Sequence, residues 1–164
     1  MKMNSDYANK MCKKLLEEEK NILHEESVSR TYSHAPSEKP TIPQYSFRDT
    51  EERLRIVRGK IAVLKHAINT FNASTTLPEY GITVDQALNQ MSSMHSDKKR
   101  LAEMCQIPEV ERNREYGSKE ADIRHRNFNI EEVQAKYDQL CEELMQLQQA
   151  INIANLTIKF EVDI

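Results

Sequence analysis

Residues 129–155, NIEEVQAKYDQLCEELMQLQQAINIAN, decide the fold. Ile130, Val133, Tyr137, Leu140, Leu144, Leu147, Ile151 and Ala154 follow one another at alternating steps of three and four. That spacing puts them on one face of a helix and makes a heptad seam of about four repeats. No proline or glycine interrupts it. A helix of this length is a rod of roughly 40 Å at about 1.5 Å per residue. The stretch specifies architecture and carries no chemistry of its own.

The same period recurs upstream. Leu54, Val57, Ile61, Leu64, Ile68 and Phe71 form an unbroken seam after Asp49 and Glu52, which have capping-box spacing. Gly59 lies inside this helix, off the seam, where a close approach of another helix would explain it. Thr83 and Gln86 announce a third helix that uses Val84, Leu88, Met91, Met94 or His95, Leu101 and Cys105, with Lys98 in one seam slot. The first helix is thinner. Ala8, Met11, Leu15 and Ile22 form its stripe, and Glu18 or Glu19 fills the remaining slot. Such a narrow face suits the edge of a bundle or a neighbouring subunit.

The predicted helices cover 5–28, 49–72, 83–106 and 129–155, about twice the usual helical share. After the last of them Leu156, Ile158, Phe160 and Val162 alternate with polar residues and predict a strand. A lone strand needs a partner, for which 121–128, 41–47 and a second copy of the strand itself are the candidates. The expected fold is therefore mainly α: an antiparallel long-helix bundle or coiled coil with a small β element that includes the C-terminal strand. One helical domain over 1–164 is expected. It divides into an N-terminal helix (1–32), a linker with Pro36, Pro40 and Pro43 (33–46), and core helices with the strand (47–164). Ile42, Tyr45 and Phe47 could anchor the linker as an arm on another subunit.

Composition narrows the function. The chain has no Trp and 3 Gly, and its formal net charge is −3. The mixed, mildly acidic surface gives no general attraction for nucleic acid or an anionic membrane. The N-terminal stretch lacks an apolar signal core, and no apolar run approaches membrane length. Cys12, Cys105 and Cys141 have no metal or redox spacing, so buried thiols in a reducing cytoplasm are expected. Gly59, Gly81 and Gly117 cannot build a phosphate loop. None of His24, His34, His66, His95 or His125 follows a Glu by three, as an inward di-iron motif would require. No catalytic residue, metal site or cofactor is assigned.

Two polar stretches remain as tentative ligand sites. Asn69, Thr70 and Asn72 close the second helix. Arg112, Arg114, Tyr116, Ser118, Lys119, Asp122, Arg124, His125 and Arg126 make an irregular loop that suits phosphate or carboxylate recognition.

These segments also carry a resemblance. Ile68-Asn69-Thr70-Phe71-Asn72, Ala121-Asp122-Ile123-Arg124 and Gln149-Ala150-Ile151-Asn152-Ile153-Ala154-Asn155-Leu156-Thr157 are similar to the I-N-x-T-N, S-E-I-K and I-Q-x-x-N-W-T patterns of a family of short bacterial coiled-coil proteins. Some members of that family bear the label septicolysin-like. The likeness covers about residues 50–162 and implies a helical oligomer with no established activity. If the family's polar motifs mark a site, it implies Asn69, Thr70, Asn72, Tyr116, Asp122 and Arg124 here.

The leading expectation is a non-enzymatic homo-oligomer acting through protein–protein contacts. The alternative is a phage or bacterial protein that sequesters a small anionic ligand, such as a nucleotide, between subunits. An enzyme of unknown type comes third.

Overall fold

A computed structural model of the chain describes residues 1–113 and 122–164. The fold is mainly α, with four long helices and three two-stranded pairs among the described residues. The chain divides into two compact units, Met1–Thr76 with Ile153–Ile164, and Leu77–Asn152. The proline-containing linker lies inside the first unit.

The first unit is built on a helix hairpin. Helices α1 (Ser5–Ser29) and α2 (Phe47–Ser74) run antiparallel, as ion pairs from Glu19 to Arg58 at 2.6 Å and from Glu25 to Arg53 at 2.9 Å require. Between them Ala8, Cys12 and Ile22 meet Leu54, Val57, Ile61 and Leu64. Each large aliphatic side chain buried there contributes about 1.5–3 kcal/mol. The narrow stripe of α1 is thus used on α2, and its polar slot is Glu19, neutralised by Arg58. Asp49 does not cap α2. Ser46 does, its Oγ accepting from the Asp49 amide at 3.3 Å, while Arg55 holds Glu52 through bonds of 2.8 and 2.7 Å. The linker's three prolines let the chain reach Ser46 in an extended form that offers a cap three residues earlier.

A small sheet closes this unit. Strand β1 (Lys2–Asn4) pairs antiparallel with the C-terminal strand, whose partner in the chain is thus neither 41–47 nor 121–128. The register sets Lys2 against Glu161, Met3 against Phe160 and Asn4 against Lys159. Asn4 also caps α1, accepting from the Tyr7 amide at 2.9 Å, and donates its Nδ2 to the Leu156 carbonyl at 2.8 Å. That carbonyl belongs to the last turn of a helix that runs on to Thr157. Leu156 is therefore helical and 56% exposed, and the C-terminal strand, β6, is confined to Lys159–Glu161.

In the second unit the chain turns through β2 (Thr76–Leu77) and β3 (Ile82–Thr83), with Gly81 at φ 65 between them. Only glycine takes that conformation without strain. Thr83 then makes the expected capping box with Gln86 and starts α3 (Val84–Cys105). The inner face of α3 is Val84, Ala87, Met91 and Leu101, with Met94 and Lys98 half-buried between them. Leu88 falls outside this stripe and is 42% exposed; Ala87, fully buried, takes the slot between Val84 and Met91. Strands β4 (Val110–Asn113) and β5 (Asp122–His125) form an antiparallel pair leading into α4 (Ile130–Thr157). The stretch that the sequence predicts as an irregular loop thus contains paired strands. Strand β4 exists because β5 supplies the partner, which no local period signals. In α4, Val133, Leu140, Leu144, Leu147, Ile151 and Ala154 are buried along the predicted seam. Asn129 caps the helix by accepting from the Glu131 amide at 2.8 Å.

Candidate functional site

The polar residues singled out in the sequence are divided between the two units. Asn69 and Thr70 are exposed on the last turns of α2 in the first unit, and Asn72 is half-buried there. Arg112, Asp122, Arg124 and His125 are exposed on the β4–β5 pair of the second unit. Arg114, Tyr116, Ser118 and Lys119 lie outside the described residues.

The register of β4 and β5 sorts the hairpin into two faces. Val110 opposes His125 and Arg112 opposes Ile123, so these four share one face. Glu111 and Arg124, opposite each other, lie on the other. Arg126 has a different task. Its amide donates to the Glu109 carbonyl at 2.9 Å, its guanidinium donates to the Ile107 carbonyl at 3.3 Å, and it stacks over Phe128 at 5.8 Å. It ties the base of the hairpin to the end of α3.

In the first unit a groove of ≈540 Å³ runs between the C-terminal half of α2 and the last strand. Val63, Ala67 and Phe71 form its floor, Ile158 and Phe160 one wall, and His66, Thr70 and Ser74 its polar rim. Phe71 and Phe160 stack at 5.1 Å, which fixes β6 over α2. The groove continues a line on α2 that the core does not use. Ile56, Gly59, Val63, His66 and Thr70 step by three and four on the side away from the seam. Ile56 is 46% and Val63 38% exposed. Nothing among the described residues lies within 4 Å of where a Cβ on Gly59 would stand, so none of them makes the close approach that the glycine suggested. Sequence reading missed this second stripe because its polar members dilute the apolar period.

A second concave region, ≈500 Å³, lies where the linker rejoins the helices and is lined by Glu25, Glu26, Tyr45, Asp49 and Arg53 among others. Tyr45 donates to Glu26 at 2.7 Å, and that bond to a carboxylate holds its phenol above the usual tyrosine value. Three carboxylates against one guanidinium, already paired with Glu25, make this region unfavourable to anions. In the second unit the Cys141 thiol, one turn along, raises the phenol of Tyr137, while Lys98 opposes the shift. Lys98, half-buried in the polar slot of the α3 stripe, is thus near enough for its charge to act on Tyr137. Cys12, Cys105 and Cys141 are free thiols, Cys12 buried and the others half-buried. Among the described residues no three His, Cys, Asp or Glu side chains are grouped to hold a metal ion, and no helix is long and apolar enough to cross a membrane.

A scan against models of protein families and a search of curated proteins both find no match for the chain. Among solved structures, the chain is similar to a functionally unknown conserved protein from Corynebacterium diphtheriae. The TM-score is 0.68 at 14% identity, over 98% of this chain and 100% of the other. At that identity the likeness establishes a shared fold and carries no activity.

Proposed function

We propose that the protein is a non-enzymatic, cytoplasmic, self-associating helical protein that works through contacts between copies. The observation that carries this reading is the second stripe of α2, left open after the helix has already filled its seam. A surface helix needs one apolar face. A second one, centred on a glycine that no neighbour among the described residues approaches, is the pattern of a helix with a further partner. The resemblance to the septicolysin-like coiled-coil proteins supports the same reading, and membership of that family is part of the proposal.

Magnitudes show what the stripe can do. Full burial of an Ile or Val side chain is worth about 1.5–3 kcal/mol. Ile56 and Val63 are already more than half covered. Burying the remainder in two copies therefore gives on the order of 2–5 kcal/mol. Association costs about 4–15 kcal/mol in lost freedom. The stripe alone is too weak, and a stable interface must add surface beside it. A melting series tests self-association as such. Assembly makes Tm rise with protein concentration, and a Tm unchanged over a hundredfold concentration range would refute the proposal.

A second reading, a binding site for a small anion such as a nucleotide, is favoured by one observation: the register gives Arg112 and His125 a common exposed face. Thermal shift against nucleotides checks it. A bound ligand at a hundredfold excess over Kd stabilises by about 2.7 kcal/mol, and Arg112→Ala should abolish that gain. Absence of any shift across the panel would remove this reading.

A further inference from the structure

The last strand has one open edge. The Met1 amine donates to the Val162 carbonyl at 2.6 Å, and the Val162 amide returns a bond to the Met1 carbonyl at 2.9 Å. Met1 and Val162 are thus a mutually bonded pair. In an antiparallel ladder such pairs alternate, so the main-chain groups of Phe160 also point at β1. Those of Lys159 and Glu161 point the other way, and among the described residues no backbone group meets them. The groove beside α2 runs along the strand, and no proline or bulge blunts it. A two-stranded sheet is marginal by itself and gains from added strands.

We infer that this edge takes the same edge of a second copy, so that two β1–β6 pairs join into one four-stranded antiparallel sheet across a twofold axis. The inference rests on the self-association proposed above and names its surface. The sequence Ile158-Lys159-Phe160-Glu161-Val162 selects the occupant and the register. With Phe160 opposite Phe160 of the second copy, each Lys159 faces a Glu161 and each Ile158 faces a Val162. Lys159 and Glu161 are also the residues whose main-chain groups are free, so both become mutually bonded pairs in this register. Centring the pairing on 159 or on 161 would set lysine against lysine or glutamate against glutamate, which is destabilising in a sheet. Lys2 already faces Glu161 from β1, so each row across the joined sheet would read Lys2, Glu161, then Lys159 and Asn4 of the second copy, with no like charges adjacent. Phe160 would fall at the close, non-bonded position, above the Phe71 rings of the two α2 helices. The twofold operation brings the open α2 stripes toward the same interface, which supplies the surface that the stripe alone lacks.

Charge reversal in the full chain tests this, with mass measured by light scattering and folding checked by circular dichroism. Lys159→Glu places two like-charged pairs in the interface, and so does Glu161→Lys. Each should halve the mass of the wild-type particle with helix content unchanged. Glu161→Pro removes an amide that points away from β1 and should do the same. The double variant K159E/E161K restores opposite charges and should regain the wild-type mass. An equimolar mixture of the two single variants should regain it as well, since one chain then offers only carboxylates at these two positions and the other only ammonium groups. Wild-type mass in both single variants and in Glu161→Pro would overturn the strand-edge interface while leaving self-association intact. A wild-type chain at 19.1 kDa throughout would overturn both.

Discussion

Leu64 and Ile56 lie eight positions apart on one helix and do opposite things. Leu64 has no exposed surface and meets α1 in the core, while Ile56 is nearly half exposed on the other side of α2. Truncating Leu64 to Ala removes buried methylenes and leaves a cavity, so urea unfolding should show a loss of about 2–5 kcal/mol. Ile56→Ser should change the stability of the isolated chain by only about 0.5 kcal/mol and should weaken association instead. A loss from Ile56→Ser as large as that from Leu64→Ala would mean that the second stripe belongs to the core. Leu64 was legible in the sequence, since its seam has no fault. Ile56 was not, because Gly59, His66 and Thr70 share its line and hide the period. The same limit applied to Arg126. Its neighbours in sequence suggested an anion site, but the carbonyls that it bonds, those of Ile107 and Glu109, become its neighbours only when the hairpin forms.

At the scale of elements, local chemistry accounts for the starts of the helices, and a long-range contact marks the end of α4. Thr83 and Gln86 make a complete capping box that the sequence spacing announced. Thr83→Ala should cost about 1 kcal/mol, read from the chemical denaturation midpoint, because the capping hydroxyl that accepts from the Gln86 amide is lost. An unchanged midpoint would show that α3 draws nothing from its cap. The seams of α2 and α4 were equally legible, since sustained periodicity over many turns leaves few alternatives. The boundary at Leu156 was not. Alternation from Leu156 to Val162 fits a strand, yet the helix persists to Thr157, where Asn4 donates to the Leu156 carbonyl. No local rule connects positions 4 and 156. Strand β1 was hidden for a related reason: three residues are too short to show a period, and their partner lies at the other end of the chain.

At the scale of the molecule, two compact units each carry their own core. The two tentative ligand stretches are divided between them, with Asn69, Thr70 and Asn72 in one and Arg112 to Arg126 in the other. The proposed self-association draws on the α2 stripe, the groove beside β6 and the free strand edge, all in the first unit. The direct test of self-association is the mass of the purified full chain by size exclusion with light scattering, from low to high micromolar concentration. The expected result is a particle of an integral multiple of 19.1 kDa, dissociating on dilution or in Lys159→Glu; a species of 19.1 kDa at every concentration would contradict it.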